Sequence, residues 1–298
     1  MTAATRYRFP AGAGPALRVL SLGAGQQSST VLLLACHGRI PRFDLAVFAD
    51  TRWEPAAVYR HLDRLAAIAA DAGIEVVRVS RGDIRADALD PAHRFASMPL
   101  FTLAPDGRRG IARRQCTAEY KLRPIKAEVR RRLGYPHPSR VPAGVFAQMA
   151  IGISVEEVGR ARDADVRYMR NTLPLLDLGW RRKDCQAYLA AHDLADTPRS
   201  SCVGCPFHRD DFWHRLKTDS PAEWAQAVAF DHAIRHGSAR ANAQGQPLRG
   251  AFYLHHSRVP LDQAALRPRR EPDPAGEPGC GPWLCPHTPP AGPVGEVA

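Results

Sequence analysis

Cys202 and Cys205 frame the segment Cys202-Val203-Gly204-Cys205, and Cys116 lies 86 positions before it. A Cys-x-x-Cys pair sets two thiolates on one tight turn, so both can bind a single metal ion or cluster with little ordering cost. Cys280 and Cys285 supply two further candidate ligands. One set follows from these residues alone: Cys202, Cys205, Cys280 and Cys285 could close around a structural zinc ion. Cys36 and Cys185 stand in apolar or helical contexts and read as small core residues.

A second feature with chemical potential is Gly23-Ala24-Gly25-Gln26-Gln27-Ser28-Ser29. Glycines at a strand-to-helix turn let backbone amides approach phosphate oxygens at the positive end of a helix, and Ser28 and Ser29 add hydroxyl donors. The segment has neither the Lys of G-x-x-x-x-G-K-S/T nor the third Gly of G-x-G-x-x-G, which sets those two nucleotide folds aside. Plain structural punctuation explains such a turn equally well.

The elements that must position these residues follow from apolar patterning. Leu17 to Leu22 predicts a buried strand and Ser28 to Cys36 a buried helix. Asp44 to Ala49, Pro55 to Ala72 and Glu75 to Val79 continue as strand, helix and strand, with Gly73 as the helix stop. Asp83 to Arg114 has weak periodicity and reads as a long functional excursion. Lys121 to Arg132 predicts a basic helix and Val145 to Ile153 a fourth strand. Ser154-Val155-Glu156-Glu157 has the form of a capping box at a further helix start. Helices are also expected over Arg181 to His192 and from Ser220 towards Gly237, and a small strand over Ala251 to Leu254. Strands alternating with helices predict an α/β fold, a parallel sheet with helices on both faces. The expected division is an α/β domain over 1–237 and a C-terminal extension over 238–298, Pro- and Gly-rich from Pro268 onward.

Composition limits the setting. The 45% hydrophobic content over 298 residues suits a globular core, and no apolar run reaches the ~20 residues of a membrane span. The N-terminal residues lack the apolar core of a secretory signal. A cytoplasmic protein is therefore expected, in which seven cysteines point to metal or thiol chemistry rather than disulfides. The formal charge of +11 favours polyanionic partners, nucleotide or nucleic acid, without choosing between them.

Several segments, in order from Leu17 to Pro206, resemble the phosphoadenosine-phosphosulfate reductase-like family of the PP-loop ATP pyrophosphatase (adenine nucleotide alpha-hydrolase) superfamily, iron–sulfur type. The Gly23–Ser29 turn is similar to the S-G-G-x-D-S pyrophosphate loop, with Gln27 at the Asp. Phe48-Ala49-Asp50-Thr51-Arg52-Trp53-Glu54 looks like its F-x-D-T…E segment. Arg113 to Ile125 resembles C-C-x…K-x-x-P-L, with Gln115 at the first Cys, and Gly152 to Arg160 resembles G-x-R-x-x-E-S…R without the first Arg. Leu173 to Trp180 resembles P-L-x-x-W.

The resemblance implies ATP and Mg²⁺ at the turn, with Gly23, Ala24, Gly25, Gln26, Ser28, Ser29, Asp50, Thr51 and Arg114 binding the nucleotide and Gln27, Ser28 and Lys121 in catalysis. Arg113, Arg114, Lys121 and Arg123 are candidate phosphate or sulfate contacts. It also implies an iron–sulfur cluster of the 4Fe-4S kind on Cys116, Cys202 and Cys205, with Cys280 or Cys285 able to serve as a fourth ligand, zinc being the alternative. The leading expectation is an ATP-dependent sulfurtransferase thiolating a nucleic acid or small molecule, fed by a sulfur donor such as a cysteine desulfurase, in a chain that could form a homodimer. A sulfonucleotide reductase is the second expectation; the tail lacks its terminal E-C-G-x-H segment. A non-catalytic, metal-bearing nucleic-acid-binding module is the third.

Overall fold

The computed structural model describes residues 14–93, 96–237 and 250–267. Five strands, β1 (Leu17–Ser21), β2 (Leu45–Asp50), β3 (Glu75–Ser80), β6 (Ala147–Ile151) and β7 (Met169–Thr172), form one parallel sheet in the order β3-β2-β1-β6-β7. Two more, β4 (Phe101–Leu103) and β5 (Arg109–Ile111), lie in the excursion between β3 and β6.

Period-two alternation divides the sheet's side chains between two cores. Leu20, Ala46, Phe48 and Ala150 face one cluster with α1 (Gln26–Cys36), α2 (Ala56–Asp71) and α6 (Arg182–Ala190). Val19, Leu45, Val47, Ala147 and Met149 face another, closed by Ile125 and Val129 of α4 (Arg123–Arg132). The sheet is thus covered on both faces, as the sequence predicts, and Cys185 is part of the first cluster. Burial pushes its thiol up to about 12, so it is an inert core group.

A third core lies beside the sheet. It joins Trp53, Ile84 of α3 (Ile84–Leu89), Tyr120, Val203, Trp213 of α7 (Asp210–Asp219), Phe230 of α8 (Pro221–Ala233), and Phe252 of β8 (Ala251–Tyr253). The antiparallel sheet β5-β4-β8 edges it. Asp231, fully buried in α8, ties β8 and its sequel down by accepting hydrogen bonds from Leu254 N (2.7 Å) and Leu261 N (3.0 Å), and it pairs with Arg235. No described helix is long and apolar enough to cross a membrane.

Two local expectations change. The helix expected from Ser154 is a short 3-10 helix over Val155–Arg160, with no side-chain cap on Ser154. The carboxylate of Glu157, which a capping box would direct to the Ser154 amide, is drawn instead to Gln27, Arg160 and Arg182. The basic helix expected from Lys121 is preceded by a π-helix, Thr117–Leu122, so α4 proper begins at Arg123. The short α5 (Pro174–Asp177) completes the set before α6.

Candidate functional site

The strand order reverses at β1, whose neighbours are β2 on one side and β6 on the other. In open α/β sheets the ligand crevice opens at the carboxyl ends of the strands at such a reversal. Three segments meet there: the Gly23–Ser29 turn after β1, Asp50–Glu54 at the end of β2, and Gly152–Ser154 after β6.

The turn is tight. Ser28 Oγ accepts from Gly23 N (3.1 Å) and donates to Gly25 O (3.2 Å), fastening the loop to the start of α1. Ala24 adopts a left-handed φ of 52° while fully buried, a conformation costing about 1–2 kcal/mol for a non-glycine residue. No side chain caps α1 at Gly25, which leaves first-turn amides for an outside acceptor. Gly152 is required by proximity, since a Cβ there would come within 2.7 Å of Ser28 N. Gly25 is similar: its Cβ would lie 2.9 Å from Ser200 Cβ, so the residues leading to the Cys-x-x-Cys turn form one wall of the loop.

Other candidate residues are engaged as follows. Gln26 Oε1 accepts from Gln186, and Gln27 Nε2 donates to Glu157 Oε2 (2.9 Å), where Arg160 and Arg182 also converge. Ser29 is buried with its hydroxyl 3.0 Å from His61 Nε2. Burial lowers the His61 pKa to about 4, so this imidazole is neutral. Asp50 Oδ1 accepts from Arg52 N (2.7 Å) and Tyr59 OH (2.8 Å), a clasp that supports the left-handed φ of 60° at Arg52.

At the end of β2 lies a buried polar knot. Thr51 Oγ1 donates to Glu54 Oε1 (3.1 Å), Lys121 Nζ stands 3.6 Å from the same oxygen, and Cys202 Sγ lies 3.2 Å from Thr51 Oγ1 and 3.4 Å from Glu54 Oε1. Glu54 Oε2 is buried without a hydrogen-bond partner. Lys121 reaches this knot from the π-helix that starts immediately after Cys116; irregular helical turns of this kind recur at functional sites.

The Cys-x-x-Cys turn itself is docked on Trp53. Val203 N donates to Trp53 O (2.8 Å), and Gly204 lies so close to the indole that a Cβ would fall 2.1 Å from it. Behind the turn, His208 Nε2 donates to Cys202 O (2.8 Å), and burial lowers the His208 pKa to about 3.

Cys116 packs against this same core, with its amide on Ser97 O (2.9 Å). Among the described residues, however, Cys116, Cys202 and Cys205 do not form a group of donors all within 4.8 Å, as one ion would need. Cys280 and Cys285 lie outside the described residues.

The basic residues expected to act together are dispersed. Lys121 is buried, Arg114 stacks over the ring of Phe207 (5.2 Å), and Arg113 and Arg123 are exposed. Arg123 lines a separate groove of about 590 Å³ beside α4, with Lys126 and Arg130. Sequence reasoning missed the participation of Glu54, Glu157 and Ser200. Glu54 and Glu157 sit inside the motifs quoted above, and Ser200 two residues before Cys202, so proximity to a motif was the available signal.

Compared with known proteins, the chain matches no protein-family model and no curated protein.

Proposed function

We propose that this chain is an ATP pyrophosphatase of the PP-loop kind that adenylates an acceptor oxygen and replaces it with sulfur. The observation that carries the reading is the course of residues 200–205. Ser200 walls the glycine turn, and Cys202 touches Thr51 and Glu54, so thiols and uncapped helix amides share one crevice.

Three cysteines suit a cluster, whose thiolates attach to different irons, and a zinc ion closed by four thiolates is the alternative. An iron–sulfur cluster bound by Cys116, Cys202 and Cys205 would leave one iron without a protein thiolate, at which sulfur can be held. The amides at the start of α1 bind the phosphates of ATP, and the partnerless oxygen of Glu54 suits Mg²⁺ or a donor arriving with the nucleotide.

Lys121, held by Glu54, supplies a fixed cation in the crevice for charge developing on departing pyrophosphate. The acceptor oxygen attacks the α-phosphorus and pyrophosphate leaves. A sulfur nucleophile then bonds to the acceptor carbon or phosphorus, and AMP carries away the oxygen. The charge of +11 favours a nucleic-acid acceptor, with a cysteine desulfurase as sulfur source.

The test is anaerobic purification with iron, sulfide and zinc quantified, followed by incubation with ATP, Mg²⁺, sulfide and RNA or DNA. Equal AMP and pyrophosphate, iron with acid-labile sulfide, and thiolated nucleotides in the digest are expected. Ser200→Leu, which thrusts a larger side chain over Gly25, is expected to abolish pyrophosphate release. Zinc without iron, together with no pyrophosphate, overturns the proposal.

A further inference from the structure

Away from the cysteines, one cluster has the composition and spacing of a mononuclear metal site. We propose that Asp210, His255 and His256 bind a single divalent ion of the zinc class, through Asp210 Oδ1, His255 Nε2 and His256 Nδ1. These are the only three or more Cys, His, Asp or Glu donors within 4.8 Å of one another among the described residues. Nothing in this assignment rests on the proposed sulfur chemistry.

The fold brings the three together from distant positions. Asp210 opens α7, and the histidines follow β8, which is fixed by pairing with β4 and by the hydrogen bond from Leu254 N to Asp231. Asp210 Oδ1 lies 3.0 Å from His255 Nε2 and 3.8 Å from His256 Nδ1. Ligand bonds of about 2.0–2.2 Å at tetrahedral angles put donors about 3.3–3.5 Å apart, so each of the two Asp210 contacts needs a shift of only a few tenths of an ångström, and the third pair lies within 4.8 Å.

The surroundings suit the role. His255 is buried, so its ring is held in place by the packing around it. Its other nitrogen, Nδ1, lies 2.7 Å from Ser257 Oγ. Nδ1 also accepts from Ser257 N (3.3 Å), which fixes the ring with Nε2 directed at Asp210 Oδ1, where an ion would take the place of the Nε2 proton. Asp210 Oδ2 accepts from Arg267 N (3.4 Å), which leaves Oδ1 for the ion.

Asp210 and His256 also line a cavity of about 410 Å³, walled by Phe101 and Phe207. Coordination positions not filled by protein therefore face a space large enough for water or a small ligand. That is the arrangement of an open site, unlike the closed four-ligand sites that only brace a fold.

The competing occupant of the Asp210–His255 contact is a proton, which needs no third ligand. The full-length chain, stripped with a chelator, is titrated anaerobically with Co²⁺ and then Zn²⁺, alongside Cys202→Ser/Cys205→Ser, His256→Ala, Asp210→Asn and Ser257→Ala. In the chain without Cys202 and Cys205 one equivalent of Co²⁺ is expected at this site, with visible d–d bands and no sulfur-to-cobalt charge transfer. His256→Ala, at an exposed residue, and Asp210→Asn are expected to weaken Zn²⁺ at least tenfold; Ser257→Ala weakens it about tenfold, through the ring it orients. If that double variant does not fold, His256→Ala in the otherwise native chain is expected to bind one equivalent fewer. Affinity and stoichiometry unchanged by His256→Ala and Asp210→Asn, or no cysteine-independent binding, would overturn the site and leave a hydrogen-bonded His–Asp pair.

Discussion

In the first core of the five-stranded sheet, many partners are near neighbours in sequence: Val31 to Leu34 of α1 pack on Leu20 of β1, and Leu62 and Leu65 of α2 join Ala46 and Phe48 of β2, with Ala150 of β6 and with Cys185 and Leu189 of α6 arriving from further along the chain. In the core beneath the Cys-x-x-Cys turn, contacting residues come from the whole chain, from Trp53 through Tyr120 and Val203 to Leu261. The first core is begun by local alternation of strand and helix and completed by β6 and α6. The second closes only when residues some 200 positions apart in sequence have met, and the thiols and the Lys121–Glu54 pair lie where it joins the sheet. The candidate functional groups are therefore concentrated at the join, whose integrity is the sensitive variable.

The strongest way to break the join is through its buried ion pair. Lys121→Met leaves the Glu54 carboxylate buried without its cation, and removing one partner of such a pair costs about 3–5 kcal/mol. Lys121→Met combined with Glu54→Gln is expected to recover most of that loss, because no uncompensated charge remains. A double-mutant cycle in urea measures it; additive losses would mean that the two side chains do not interact.

Next in size is Gly204→Ala. The new methyl meets the Trp53 ring at 2.1 Å, so the turn must lift from the indole, at a cost towards the upper end of the about 1–3 kcal/mol typical of overpacking. If the proposed function is right, metal retention falls in parallel, since Cys202 and Cys205 move with Gly204. The corresponding change in the sheet half, Gly38→Ala, has open space around it and meets only its left-handed φ of 67°, so it should leave metal content unchanged.

Acid distinguishes the halves more finely, because each contains a buried neutral histidine. The His61 pKa is lowered to about 4 and that of His208 to about 3, in both cases chiefly by burial. Below the unfolded value of about 6.5 the unfolded chain takes up protons that the folded chain refuses, so stability falls with pH. Each group contributes a loss of about 1.4 kcal/mol per pH unit, or about 2 kcal/mol at pH 5. The loss continues to about pH 4 for His61 and about pH 3 for His208. Replacing either with Gln should flatten the acid limb of a pH–stability profile by that group's share; an unchanged slope would mean that the histidine is not held neutral.

The same contrast explains what was legible in the sequence. Continuous apolar runs such as Leu45–Ala49 and helices of 11 and 16 residues carry their own periodicity, so the parallel sheet and both covering layers follow from it. Strands of three residues, as in β4 and β5, are too short to show alternation, though the equally short β8 falls within the strand expected over Ala251 to Leu254, and the polar β7, Met-Arg-Asn-Thr, is a strand only because β6 pairs with it. Within the site, the Gly23–Ser29 turn, the Asp50–Glu54 segment and the Cys-x-x-Cys pair stood out because their spacing is local. The pairing of Lys121 with Glu54 did not, since 67 positions separate them and no period relates a π-helix to a strand end. The Glu157–Arg160–Arg182 cluster was hidden behind a capping-box pattern that the Gln27 side chain overrides.

The smallest expected effect tests whether the glycine turn stores strain. Ala24 is left-handed at φ 52°, and glycine there would relieve about 1–2 kcal/mol. The same substitution removes a fully buried methyl from the first core, worth about 0.8 kcal/mol, and raises the entropy of the unfolded chain by about 0.5–1 kcal/mol. These contributions oppose one another at similar size, so Ala24→Gly should change stability by less than about 1 kcal/mol. If the chain turns over ATP as proposed, that activity need not follow stability. A loop freed of its left-handed alanine samples more conformations, and amides that are less preorganised bind phosphate less well, so a higher KM for ATP with unchanged thermal stability is the expected signature. A gain in stability well above 1 kcal/mol with unchanged KM would instead mean that the strain at Ala24 serves the fold's history and not its site.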